Sequence, residues 1–224
     1  MVKNLIDKIK EYYINLYKDK SGRYRSWEHC YTAFSNARKD KNPNYDCLSL
    51  QLAFYLASWG MYRGSSFLLR KDYTIHKKAV QIILEERYDC LLGIDCSNFK
   101  KQIDLLMELY RRLDEYYLNV YKDLNKNTNT KHISDTLITK ILLGTLGCTP
   151  AYDQYFKKGI KSQKVATGNF SKKSIEAIID FYEKNNSVFE DMRKIFNPQN
   201  NIIYPQMKII DMIFWYIGKN NKTN

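Results

Sequence analysis

Four ionisable side chains stand alone in runs of apolar residues, and that isolation gives a charged group unusual chemistry. Between Asp46 and Arg70 the only charged residue is Arg63, with Gly60, Gly64, Ser65 and Ser66 beside it. A guanidinium in apolar surroundings needs an anion; glycines allow close backbone approach and serines supply hydroxyls. The pattern reads as a phosphate or carboxylate site, with an internal carboxylate partner for Arg63 as the alternative. In the run Thr139 to Asp153, Lys140 is embedded in apolar residues, and Thr149-Pro150 looks like a helix cap followed by proline at the first helical position. Asp153 then falls in the first turn of the next helix, where Lys140 could meet it, and an apolar pocket would lower the lysine pKa. A plain tie between two helices is the competing reading. Asp211 is the single carboxylate of Pro205 to Tyr216, with Lys208 one turn earlier.

The aromatic residues frame these positions. Trp27 follows Arg25, Trp59 precedes Arg63 and Trp215 follows Asp211. Core packing is the common role of tryptophan, but rings beside arginines also suit stacking on a base. Glu28 and His29 are adjacent in sequence yet point in different directions on a helix. We therefore expect Lys140, Asp153 and Asp211 as catalytic residues and Trp27, Trp59, Arg63, Ser65 and Ser66 as substrate-binding residues. Arg63 and Asp211 are expected to be buried and to share one cleft.

The elements that must position them are helices. Apolar residues recur at helical spacing, as in Ile9, Tyr13 and Leu16 or Leu105, Leu109, Leu113 and Tyr116. Ser26, Asp46, Ser134 and Ser171 precede such runs as caps. The spacing predicts helices near 3–19, 26–38, 46–62, 74–86, 98–121, 134–146, 150–158, 171–185, 187–196 and 205–217. The fold class is all-α, a compact domain of about ten helices spanning 1–224, with a division into two helical lobes and a cleft near 125–133 as the alternative. The segments Asn125–Thr130 and Lys161–Asn169 read as loops. No repeat of fixed period points to a solenoid.

Composition narrows the partners. The 224 residues are 44% apolar, enough for one sizeable core. No stretch reaches the roughly 20 apolar residues of a membrane span, and the start Met1-Val2-Lys3-Asn4 lacks a signal-peptide core, so a cytoplasmic protein is expected. The five cysteines are scattered and the three histidines lack ligand spacing, so reduced thiols, no metal and no cofactor are expected. A net charge of +12 draws the chain toward polyanions, nucleic acid above all, although a chain rich in Lys, Asn, Ile and Tyr also carries the bias of an AT-rich genome.

The stretches Arg25–Tyr31, Leu52–Leu69, Thr139–Asp153 and Tyr204–Trp215 together resemble a bacterial protein family of unassigned activity. Thr139 to Phe156 is also similar to a pattern in helical proteins related to helix-hairpin-helix base-excision glycosylases. That resemblance implies a nucleic-acid-binding hairpin and N-glycosylase chemistry. Its hairpin departs from the pattern at Thr149, where a second glycine would stand, and the glycosylase lysine and aspartate stand elsewhere relative to the hairpin. Two other classes remain open. One is a helical ribonuclease toxin with four to six residues between an arginine and a following histidine, since Arg23 to His29 and Arg70 to His76 both fit. The other is a non-enzymatic module binding a ligand or protein through Arg63.

Overall fold

A computed structural model describes residues 2–126, 129–196 and 202–221. The helices are α1 (Val2–Tyr17), α2 (Arg25–Ala37), α3 (Tyr45–Ser58), α4 (Lys77–Ile83), α5 (Cys96–Phe99), α6 (Ile103–Leu124), α7 (Asp135–Thr145), α8 (Gln154–Ser162), α9 (Lys172–Lys184), α10 (Asn186–Phe196) and α11 (Gln206–Asn220). Single 3-10 turns stand at Phe67–Arg70, Tyr73–His76 and Glu86–Leu91. Among the described residues there is no strand, so the chain is all-α. None of these helices is long and apolar enough to cross a membrane. Asn127 and Thr128, within the loop expected at 125–130, lie outside the described residues. Buried residues before and after it belong to one continuous hydrophobic cluster.

Two helices form the interior. Every residue of α7 from Leu137 to Thr145 is buried, and α11 is buried from Gln206 to Trp215. Helices apolar on all sides must be surrounded, and α7 contacts α2, α3 and α6 while α11 contacts α1, α8, α9 and α10. The approach of α8 to α11 is set by glycine. A Cβ on Gly159 would lie 2.0 Å from the Phe214 carbonyl oxygen, and one on Gly218 would lie 1.8 Å from that of Tyr155. Only hydrogen at these two positions lets the backbones touch.

Local chemistry explains where the boundaries depart from expectation. Ser134 and Ser171 cap α7 and α9 as expected, accepting from Leu137 and Ser174 backbone N–H groups. The cap of α3 is Asn44, which accepts from Cys47 N–H, and Asp46 sits in the first turn. Ser26 caps nothing; its hydroxyl donates to the Arg23 carbonyl. The helix expected from Pro150 begins only at Gln154, and its cap is Asp153. Residues 147–153 instead form a connection, buried through Tyr152, whose backbone bonds in part to side chains. Its polar groups are cut off from water, so each needs a partner within the fold.

His76 is fully buried between two tyrosines, its Nε2 2.7 Å from the Tyr62 hydroxyl and its Nδ1 2.6 Å from that of Tyr117. Burial pushes the imidazole from its usual 6.5 down to about 4. Between those values the unfolded chain binds the extra proton and the folded chain does not. Stability is therefore full above pH 6.5 and lost as pH falls through 4, by roughly 3 kcal/mol for this group. Urea melts at pH 7 and pH 4.5 should show this loss, and His76→Phe should shrink the difference between the two. An unchanged difference in the variant would assign the acid sensitivity elsewhere.

Candidate functional site

The site grows from the end of α3. Gly60 takes φ +76°, the Met61 N–H donates to the Leu56 carbonyl at 2.9 Å and the Gly60 N–H to that of Ala57 at 2.9 Å. This is a Schellman ending, which a residue with a free left-handed conformation allows. It leaves the Trp59 carbonyl without a backbone partner, and Lys140 Nζ donates to it at 2.8 Å. The turn brings Trp59 over α7 and carries the chain on to Arg63.

Lys140, Asp153, Lys208 and Asp211 then converge. Lys140 Nζ is 3.7 Å from Asp153 Oδ2, and Lys208 Nζ is 3.1 Å from Asp211 Oδ2. Asp153 Oδ1 accepts from the N–H groups of Tyr155 and Phe156, each at 3.0 Å, so the helix cap also aims the carboxylate. Asp211 Oδ1 accepts from the buried Ala151 N–H at 3.0 Å. Thr139 and Thr136 satisfy the Tyr152 N–H and carbonyl. Lys208 also lies over the Trp27 ring at 5.0 Å and the Trp59 ring at 5.6 Å. Burial lowers the pKa of Lys140, with Asp153 and Asp211 opposing the shift. Burial raises that of Asp211, with Lys208 opposing. Both groups are pushed toward their neutral forms.

Two spaces meet at this cluster. The outer one, about 700 Å³, is open to solvent and includes Arg23, Trp59, Tyr62, Arg63, Lys140 and Asp153 in its wall, with Tyr155 and Trp215. The inner one, about 10 Å³, lies among Tyr55, Trp59, Lys140, Asp153, Lys208 and Asp211. That volume is about one water molecule. A ligand in the outer space thus meets Lys140 and Asp153, whereas Asp211 and Lys208 stand behind them. The Trp59 indole N–H, in the wall of both, is buried and has no hydrogen-bond partner among the described residues.

The expected residues are distributed as follows. Lys140, Asp153, Trp59 and Arg63 share the outer cavity. Arg63 is exposed rather than buried; its side chain folds over Gly60, where an added Cβ would come within 2.9 Å of Nε. Gly60 ends α3 before it, so the apolar residues that precede it enter the core on α3 while Arg63 stands on the exposed turn that follows. Asp211 is buried as expected, but it lines only the inner space. Trp27 is fully buried, stacked on Tyr31 at 5.1 Å with its indole N–H donating to the Leu143 carbonyl, and it is absent from the cavity wall. Ser65 and Ser66 lie on the far side of the 60–66 turn, in another cavity. The arginine–histidine pairs do not assemble either. Arg23 lies over Trp59 while His29 lines a separate cleft with Arg25 and Glu28, and Arg70 binds Asn125 and Leu124 while His76 is enclosed. Glu28 points inward to Tyr204 and Arg25, and His29 outward.

Sequence reasoning passed over Tyr155, named Arg23 only with His29 in the ribonuclease pattern, and noted Trp215 beside Asp211 without assigning it to the site. All five cysteines are free. Among the described residues no three His, Cys, Asp or Glu side chains group to hold a metal ion. Comparison of the chain with protein-family models, with curated proteins and with solved structures found no match.

Removing one member of the buried pair should be costly. Asp211→Ala strands the Lys208 ammonium and the Ala151 N–H, a loss of roughly 3–5 kcal/mol. Asp211→Ala combined with Lys208→Met should recover part of that loss. Chemical denaturation decides, and a single variant as stable as the parent, or a double no better than the single, would remove the pair from this role.

Proposed function

We propose that the outer cavity binds a nucleotide, free or within a nucleic acid, with the base among Trp59, Tyr155 and Trp215 and the phosphate at Arg23 and Arg63. The observation that carries this reading is the pair of arginines at one cavity wall whose guanidinium groups have no carboxylate partner among the described residues. Among the described residues the Arg63 guanidinium has no hydrogen bond or ion pair, and that of Arg23 has only the faces of Tyr24 and Trp59 at 5.4 and 5.6 Å. Three cations, Arg23, Arg63 and Lys140, face one carboxylate, Asp153. A cavity with surplus positive charge and π-surfaces suits an anion joined to a flat ring. The +12 net charge would add a longer-range attraction. In this reading the protein works in the cytoplasm, where such ligands are abundant.

Tryptophan fluorescence titrations with a nucleoside monophosphate and with a short oligonucleotide test it. Affinity for the oligonucleotide should fall with salt, at roughly 0.7–0.9 log units per phosphate contacted for each log unit of salt. Arg23→Ala and Arg63→Ala should each weaken binding about tenfold or more, the scale of a charge-assisted hydrogen bond, while Lys184→Ala at the exposed end of α9 should not. Absence of binding at low ionic strength would rule nucleotides out.

A catalytic version is favoured by the buried Lys140. An amine whose pKa burial lowers can, in its neutral form, attack C1′ of a nucleoside; the C1′–N bond to the base breaks as the bond to Nζ forms, the base leaves with a proton given up by the attacking amine, and Asp153 beside it balances the charge that develops on the sugar. Release of free base from a labelled oligonucleotide should then occur with the parent chain and vanish in Lys140→Met with binding kept. Release that survives this substitution would leave Lys140 a structural tie.

A further inference from the structure

The turn that carries Arg63 has a second cavity on its other side. This space, about 430 Å³, shares Gly60, Met61 and Arg63 with the first and is completed by Ser65, Ser66, His132 and Ser134 on its polar side. Among the described residues no carboxylate is in its wall. Its histidine is held from behind. Asp114, buried on α6, accepts from His132 Nδ1 at 2.8 Å with one oxygen and from the Ile133 N–H at 2.6 Å with the other. The carboxylate takes the Nδ1 hydrogen, and Nε2 becomes a second donor in the imidazolium form that a bound phosphate favours. His132 Nε2 has no partner among the described residues, and the side chain is 79% exposed.

The hydroxyls point the same way chemically. Ser66 and Ser134 use their oxygens to accept from Leu68 and Leu137 N–H groups, which leaves both O–H groups available to donate. Ser65 has no hydrogen bond among the described residues. Arg63, His132 and three hydroxyls thus surround one space with donors, and what meets a set of donors with no carboxylate among them is an anion.

From this shared arginine we propose that the second cavity takes the next phosphodiester of a strand whose first nucleotide sits at Trp59, so that the ligand is a nucleic-acid strand of at least two residues rather than a free nucleotide. The inference rests on the nucleotide reading of the Trp59 cavity. Arg63 is the hinge between the two subsites, contacting the phosphate that links them. His132 serves the second step alone, because it lines only the second cavity.

The experiment compares 5′-phosphorylated thymidine and uridine mononucleotides with their 5′-phosphorylated dinucleotides on the full chain, by fluorescence titration. In the parent each dinucleotide should bind at least tenfold more tightly than its mononucleotide. His132→Ala, which takes one partner from the buried Asp114 and leaves its Ile133 N–H contact, should erase that margin and leave mononucleotide affinity unchanged; a cooperative thermal melt well above the assay temperature confirms its fold. A margin in both sugar series assigns the contact to the phosphodiester, and a margin in the ribose series alone assigns the strand as RNA. Mononucleotide binding with no dinucleotide margin, or a margin that survives His132→Ala, overturns this inference and leaves the Trp59 reading standing. Binding of neither ligand overturns both.

Discussion

Two lysines and two aspartates removed from water at one point constrain how four segments of this protein meet. An uncompensated buried charge costs several kcal/mol, so Lys140 of α7, Asp153 at the start of α8 and the pair Lys208 and Asp211 of α11 must find each other, and the end of α3 must present the Trp59 carbonyl. The glycine contact of α8 with α11 makes the distances possible. The buried 147–153 connection depends on the same cluster, since Asp211 receives its Ala151 N–H. Charge pairing, helix crossing and loop burial are thus one arrangement.

That arrangement separates what a ligand can reach from what supports it. Trp59 and Trp215 divide an open cavity from an inner gap of one water's size. Lys140 and Asp153 line both spaces; Lys208 and Asp211 line only the inner one, with Lys208 lying over Trp27. Side chains so placed keep their rotamers because their other contacts are satisfied. The arginines differ. Arg23 and Arg63 sit at the rim in water, where they can meet an incoming anion without the desolvation that a buried guanidinium would require.

Much of this was legible. Isolation in an apolar run singled out Lys140, Asp153 and Asp211, since a charged residue kept among apolar neighbours on a helix is carried inward with them. The same rule misplaced Arg63, because Gly60 ends α3 in a left-handed turn and the apolar neighbours separate from it. Adjacent motifs also misled. Trp27 and Trp59 look alike beside arginines, yet one is stacked in the core and the other stands at a cavity. The arginine–histidine spacings proved empty, while Arg63 and His132, far apart in sequence, line one cavity.

By itself the sequence determined the helical class, most helix positions, two of the caps and the charged residues that enter the interior, because helical periodicity and isolated charge are local properties written within one or two turns. Only the tertiary structure decided which of those residues face a ligand. It decided that Asp153 caps α8 instead of riding in its first turn, because Asp211 and two threonines can satisfy a loop buried ahead of it. It also decided that Arg63 is shared by two cavities, because that depends on where α6, α7 and the α3 turn meet. Such meetings follow from packing between segments distant along the chain, which no local pattern encodes.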